Sequence, residues 1–326
     1  MVATSAPLVS ILIRSMDRPT LERALVSAAA QTWPNLELVV VAANGSSHRA
    51  LPSRFKGRPL RLVHAQPDRP LPRPLAANVA LEAARGEWLN FLDDDDELLP
   101  QHISLLLNAP RNAAERVVFS ATHVVDAHGA TLGQVSHAGN HVQLYFHSRA
   151  TTCAMLFQRS LVDEGVRFDP AFDVHEDHDF QVACATRTPF VYVNAITCVW
   201  HAQVGDSGCG FGSNDDNEQR REAIVKVRRK WPDFFARLLG DFDALLFAGQ
   251  QYLKLSDAPV ARECLERALA LRPGDINALN LAGMANLHSG NLERAELLLT
   301  HALKRLPDHR ALQENLQLIR TRRNAR

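Results

Sequence analysis

Short runs of consecutive apolar residues alternate with stretches of helical spacing over residues 8–126. LVSILI leads into PTLERALVSAAAQ, LELVVVAA into RLVHA, and PLAANVALEAARG into EWLNFL. Unbroken aliphatic and aromatic runs of this length predict strands buried on both faces, and the amphipathic stretches between them predict the helices that cover those faces. The alternation is that of an α/β domain with a mixed, mostly parallel sheet flanked by helices. Pro19 suits a first helical position and Gly86 a helix stop. In such sheets ligands collect beyond the carboxyl ends of the strands. The run EWLNFL ends at such a place in Asp93, Asp94, Asp95 and Asp96.

Beyond about residue 240 the strand signals cease and Ala and Leu recur with helical spacing. Leu245, Ala248, Gly249, Tyr252, Ala261, Leu265, Ala268 and Pro273 return 34 residues later as Leu279, Ala282, Gly283, Asn286, Ala295, Leu299, Ala302 and Pro307. This period and its small residues resemble tetratricopeptide (TPR) repeats, in which paired helices approach closely and a proline ends the second. Asn286 and Ala258 depart from the aromatic residues usual at their positions. The expected organisation is a first domain over 1–215, a helical linker over 216–241, and a TPR domain over 242–326. The last comprises repeats 242–275 and 276–309 and a capping helix in ALQENLQLIRTRR. Two repeats are fewer than an independent stack usually needs, so docking on the first domain is expected. The basic run Lys226 to Lys230 reads as a solvated face, because no aromatic ladder accompanies it.

Composition narrows the partners. Lys plus Arg and Asp plus Glu each total 36 in 326 residues, and 46% of the chain is hydrophobic. No net charge draws it to nucleic acid or to an anionic membrane. Five cysteines without paired spacing fit a reducing compartment better than a disulfide scaffold. The start, MVATSAPLVSILIRS, has no basic leader and its apolar run is broken by Arg14, so neither a signal peptide nor a transmembrane segment is expected. The expected location is the cytoplasm, free or peripheral at the inner face of the membrane.

Four blocks then occur in a familiar order. VSILIRSMDRPTLERALVSAAAQTWPNLELVVVAANGSS resembles the opening of family 2 glycosyltransferases of the GT-A fold. ARGEWLNFLDDDDELLP is similar to the family's Asp-x-Asp-Asp (DXD) block, FDVHEDHDFQVACA to its Glu-Asp block, and ITCVWHAQ to the strand ending in a metal-binding histidine. The resemblance spans about residues 8–205. It implies a metal-dependent inverting transferase of the hexosyl type, with a nucleoside diphosphate sugar, foremost a UDP-sugar, as donor. A divalent cation, Mn²⁺ or Mg²⁺, suits oxygen ligands and a diphosphate leaving group.

Roles carried over by the resemblance are as follows. Asp95 is the metal ligand and Asp93 faces the ribose, or the metal through water. Asp94 occupies the variable position of the donor-binding motif, and Asp96 supports the loop or sugar. His201 completes the metal and diphosphate site. Asp177 is the base that takes the acceptor proton, with Glu176 raising its pKa or orienting the acceptor. Asp17 and Asn44 are candidates for base or ribose contact, and Arg73 for the diphosphate or base. Asn78 reads as a helix-packing amide. The chain departs from the family at Ala43 and Asn44, where two acidic residues usually precede Gly-Ser, and at Arg14, Ser15 and Asp17, which replace a commoner Pro-Thr-Tyr-Asn.

Plainer readings stand beside these. Asp93 to Asp96 can cap the helix after Pro100, and EDHD can cap the helix that continues FQVACA. His201 can be an ordinary strand histidine, and His175, His178 and His201 lack the spacing of a zinc site. GDSGCGFGSNDDNE suits a loop closing over the donor as well as it suits a linker. For the whole chain the alternatives are a catalytically silent interaction scaffold, or a transferase of surface polysaccharide or lipopolysaccharide assembly. A nucleotidyltransferase would need a glycine-rich phosphate loop, which IRSMDRPT does not provide. Expected partners are the sugar nucleotide and a protein acceptor or partner held by the repeats, with a homo-oligomer also compatible and no nucleic acid.

Overall fold

Val9–Ser15 (β1), Leu36–Ala42 (β2) and Trp88–Asp93 (β5) are almost wholly buried, as expected for strands covered on both faces. The computed structural model describes residues 6–65, 69–202 and 217–324. Its chain divides into two compact units, Met1–Trp231 and Pro232–Arg326.

The first unit holds a ten-stranded sheet. The remaining strands are Arg54–Phe55 (β3), Arg58–Val63 (β4), Glu97–Leu98 (β6), Val117–Val125 (β7), Thr131–Val135 (β8), Met155–Gln158 (β9) and Phe190–His201 (β10). Their order is β3-β4-β2-β1-β5-β9-β7-β10-β6, with β8 paired to β7. β4, β2, β1 and β5 run parallel, and so do β7 and β10. β9 is antiparallel to both of its neighbours, β5 and β7. The carboxyl ends of β1, β5, β7 and β10 therefore face one edge, and β9 begins at that edge.

Helices Leu21–Ala29 (α1), Arg73–Ala83 (α2), His102–Leu107 (α3), Arg159–Asp163 (α4) and Glu176–Ala185 (α5) complete the layers. α1 buries Leu21, Ala24, Leu25 and Ala28, one face of a 3.6-residue period. It starts two residues beyond Pro19, with Thr20 at its cap. Gly86 is not the helix stop, since α2 ends at Ala83. Any Cβ at Gly86 would lie 2.6 Å from the Ser10 nitrogen, so glycine is required there by the close approach of β1. Under the sheet, Phe168 stacks on Phe180 at 4.1 Å and meets Phe91 edge-on at 5.3 Å. Asn78 holds Phe168 at both backbone groups, 2.8 and 2.9 Å, which is the packing role expected of it.

Asn217–Lys230 (α6) also belongs to the first unit. Lys230 lies 2.7 Å from the carboxylates of both Asp169 and Asp179, and Trp231 Nε1 donates to Asp179 at 2.8 Å. Arg228 donates to the Tyr145 carbonyl at 2.7 Å and covers the Tyr145 ring at 4.0 Å. The expected linker over 216–241 is thus divided. The expected solvated face holds in part: Lys226, Arg229 and Lys230 are exposed, while Lys230 also reaches Asp169 and the buried Asp179, and Arg228 an aromatic ring.

The second unit is described on its own. Pro232–Leu238 (α7) precedes Phe242–Lys254 (α8), Ala258–Leu271 (α9), Ile276–His288 (α10), Leu292–Arg305 (α11) and Arg310–Asn324 (α12). α8 and α10 start 34 residues apart, as do α9 and α11. The non-proline positions that recur in the sequence are buried in both copies. Asp241, Asp257 and Asp275 cap α8, α9 and α10 through their side chains. Among the described residues no helix is long and apolar enough to cross a membrane.

Candidate active site

The site starts from the register of two strands. Arg14 on β1 and Asp93 on β5 are paired positions at the carboxyl ends of neighbouring parallel strands. Arg14 Nη2 lies 2.7 Å from Asp93 Oδ1, and Nη1 lies 2.9 Å from Glu176 Oε1 at the start of α5. Burial alone would lower the Arg14 pKa, but the two carboxylates outweigh it and hold the guanidinium charged.

Each of the next three aspartates has its own environment. Asp94 is buried, accepts from the Met16 backbone N–H at 2.8 Å, and pairs with Arg18 at 2.8 Å. Asp95 lies 3.4 Å from Arg18, while Arg23 donates to its backbone carbonyl at 2.7 Å. Burial, then repulsion from Asp93 and Asp94, raises the Asp95 pKa to about 7, with Arg18 offsetting part of the rise. Asp96 is buried and accepts from the His201 backbone N–H at 3.1 Å. Burial first, then its neighbours, holds its pKa well above the ordinary carboxylate value. None of the four caps a helix: β6 intervenes, and α3 begins at His102 with Gln101 as its cap.

The acids of α5 are likewise distributed. His175 enters the helix with φ 58°, a left-handed turn that turns the chain into its first residues. Glu176 is directed to Arg14 and Asp179 to Lys230 and Trp231. Asp177 is half-buried, its Oδ1 accepting from the His178 N–H at 2.8 Å. His178 is buried beneath, 2.7 Å from the Leu144 carbonyl oxygen, and burial pushes its pKa down to about 3.

These elements surround a cavity of about 750 Å³, within the range of small-molecule sites. Of the residues proposed from the sequence, Arg73, Asp93, Asp94, Asp95, Asp177 and His201 line it. Asp17 and Asn44 do not. Asp17 turns away to Arg49, accepting from its backbone N–H at 2.7 Å and lying 3.0 Å from its guanidinium. The residue of that second loop that reaches the cavity is Ala43, with Leu71 and Pro72 beside it. These three lining residues are apolar, and Arg73 adjoins them. Most of the GDSGCGFGSNDDNE segment lies outside the described residues.

The fit of a divalent cation is uneven. The raised pKa of Asp95 marks negative charge that its surroundings leave poorly compensated, which a cation would offset. His201 Nε2 lies 2.8 Å from Glu97 Oε1, so a metal would have to be met by Nδ1, with Glu97 orienting the ring, or else displace that partner. Among the described residues no three His, Cys, Asp or Glu side chains form a metal-holding group. The protein thus provides two candidate ligands, with further oxygens needed from substrate and water. Arg18, Arg23 and Arg149 are part of the site yet carry no recognisable motif. Only the folded chain brings Arg18 and Arg23 to the aspartates.

Residues 10–164 match the model of Glycosyl transferase family 2. This stretch holds Arg14, Arg18, the four aspartates and Arg149, and stops short of Asp177 and His201. An uncharacterized glycosyltransferase of Methanocaldococcus jannaschii is 22% identical over 187 residues, covering 55% of this chain and 64% of that protein. The succinoglycan biosynthesis protein ExoO of Rhizobium meliloti is 27% identical over 177 residues, covering 49% and 50%. The chain thus spans between half and two thirds of the length of these relatives. Among solved structures, the mannosyltransferase PcManGT of Pyrobaculum calidifontis, in complex with GDP-Man and Mn²⁺, superposes with a TM-score of 0.50 at 18% identity. It covers 93% of this chain and 88% of its own. The fold is GT-A, a mixed α/β sheet with flanking helices, followed here by a helical region.

Proposed function

We propose that the protein is a glycosyltransferase that moves a sugar from a nucleoside diphosphate sugar to an acceptor hydroxyl with inversion. The observation that carries this reading is the convergence of Asp93, Asp94, Asp95 and Asp177 on one cavity at the carboxyl edge of the sheet. Support comes from the family match over residues 10–164 and from the glycosyltransferase relative of Methanocaldococcus jannaschii.

Asp177 takes the proton of the acceptor hydroxyl as its oxygen forms the new bond to the anomeric carbon. The bond from that carbon to the diphosphate oxygen breaks, and the electron pair leaves with the diphosphate. Arg18 and Arg73 lie where cations can meet phosphate oxygens. Asp95 and His201 would hold a divalent cation, which when bound supplies neutralisation of charge on the leaving group. Ala43 leaves no acid at a position that usually contacts the nucleobase, so uridine is not favoured over guanosine from this wall. In the helical unit, the 34-residue spacing supports TPR repeats that recruit a protein partner or acceptor.

A screen of UDP- and GDP-sugars for transfer and hydrolysis, with Mn²⁺, Mg²⁺ or chelator, tests the reading. Transfer that vanishes in Asp177→Asn while donor binding persists supports it. An active Asp177→Asn protein would overturn the assignment of the base. Full turnover in chelator would shift charge neutralisation from Asp95 and His201 to Arg18 and Arg73.

A further inference from the structure

The two walls of the cavity differ in charge. On the wall of β1 and β5, the guanidiniums of Arg14 and Arg18 face carboxylates at 2.7–2.9 Å. The opposite wall is lined by residues 134–152 and by Arg220 and Ile224 of α6, and its described lining residues include His137, His147, Arg149 and Arg220 but no Asp or Glu, although α6 carries Glu218 and Glu222 beside the lining.

Arg149 is the least compensated of these. It is 3% exposed, and its guanidinium lies over the rings of Phe119 and Phe190 at 4.8 and 5.8 Å. Nη2 donates to the Gly139 carbonyl at 2.5 Å, while the buried Nε has no hydrogen-bond partner. No described carboxylate lies near enough to oppose the burial that lowers its pKa to about 10. Its charge acts on His141 and His147, whose pKa values burial already lowers, and His147 also feels Arg220 and His137. A buried cation that no described carboxylate balances is costly and is retained most readily where a ligand supplies the anion.

Position decides which ligand. The Gln181 side chain, on the helix that carries Asp177, accepts from the backbone N–H of Arg149 at 2.8 Å and of Ala150 at 3.2 Å, and donates to the Ala150 carbonyl at 2.7 Å. Arg149 is therefore fixed to the element whose aspartate must meet the acceptor hydroxyl. Building on the glycosyltransferase reading, we propose that this wall binds a phosphate group of the acceptor, with Arg149 as its main ligand and His147 and Arg220 flanking it. A phosphate, with oxygens pointing several ways, suits donors arriving from separate segments better than a carboxylate does.

The test is calorimetric titration of the full chain at constant ionic strength with inorganic phosphate, glycerol 3-phosphate and glucuronate, with and without saturating UDP or GDP. Glycerol 3-phosphate is expected to bind the nucleotide-occupied protein, and Arg149→Gln to weaken it at least tenfold while nucleotide affinity stays within twofold. Arg149→Lys should restore part of the loss. If Arg149→Gln fails to fold by circular dichroism, His147→Gln and Arg220→Gln decide. Each should weaken glycerol 3-phosphate binding, and unchanged affinity in both overturns the proposal. It is also overturned if glycerol 3-phosphate does not bind, if UDP or GDP displaces it, if inorganic phosphate binds and the ester does not, or if glucuronate alone binds. Failure of the glycosyltransferase reading shows separately, as absent nucleotide binding in the same titrations. Ester binding that depends on Arg149 would then leave the anion site standing and remove its assignment to an acceptor.

Discussion

Arg14 and Asp93 stand side by side on neighbouring parallel strands, and their side chains meet at 2.7 Å where the strands end. The same guanidinium reaches Glu176, so one cation ties the first of the four aspartates to the helix of the proposed base.

Removing that cation should unsettle the site before it touches the chemistry. Breaking a buried ion pair by deleting one partner costs roughly 3–5 kcal/mol. Because Asp93 is 32% exposed, Arg14→Met is expected at the lower end, about 3 kcal/mol, read as a shift in denaturant midpoint. Adding Glu176→Leu to Arg14→Met should recover part of the loss, because the stranded carboxylate is then gone.

Asp177→Asn keeps the shape of the carboxylate and removes its basicity. The expected loss in transfer rate is about 10²- to 10⁴-fold, the usual worth of a positioned base. Donor affinity by titration should change little. A fall in donor affinity as large as the fall in rate would instead place Asp177 on the donor.

For Asp95→Ala the order is reversed. Donor binding in Mn²⁺ should weaken at least tenfold, about 1.4 kcal/mol, and the difference from wild type should shrink in chelator. Equal binding with and without the cation in both proteins would remove Asp95 from the metal site.

Acid stability is set in part by two buried rings. Burial lowers the pKa of His102 and of His178 to about 3, so both stay neutral in the fold while the unfolded chain takes up protons below about pH 6.5. Their contribution is complete above pH 6.5 and is lost as pH falls toward 3, at about 1.4 kcal/mol per pH unit per ring. Asp179, with its raised pKa, acts in the opposite sense, so the effect is read as a difference. Urea unfolding of His102→Gln should show a shallower loss than wild type between pH 6 and pH 4.

In the helical unit, a Cβ at Gly249 would lie 2.3 Å from Leu265 Cγ, and one at Gly283 2.9 Å from Leu299 Cγ. The clash involves a branch point, not the tip of a flexible chain. Gly249→Ala should therefore cost about 1–3 kcal/mol despite its gain in helix propensity, and more than Gly283→Ala, by thermal unfolding.

The strand ends and the aspartates were legible because runs such as LELVVVA record burial on both faces and the four acids follow such a run directly. The partners of those acids were not. Arg14 meets Asp93 across 79 residues and Glu176 across 162, and nothing local to any of them marks the pairing. Arg149 was invisible for a related reason: that no described carboxylate faces it is a property of where distant chain segments go. That Asp17 stays off the cavity lining is not legible either, because its loop position says nothing about the left-handed turn, φ 61°, that accompanies its pairing with Arg49. The segment over 216–241 looked like a connector because its cations find their acids, Asp169 and Asp179, only in the fold.

β9 runs against its neighbours, and so it starts where they stop. One side of the mouth is the ends of early strands, and much of the other is one excursion of chain, residues 136–154, inserted through that reversed strand. The two sides can then change independently. Lengthening or recharging the excursion would alter the proposed acceptor side without disturbing the strand ends of the proposed nucleotide side.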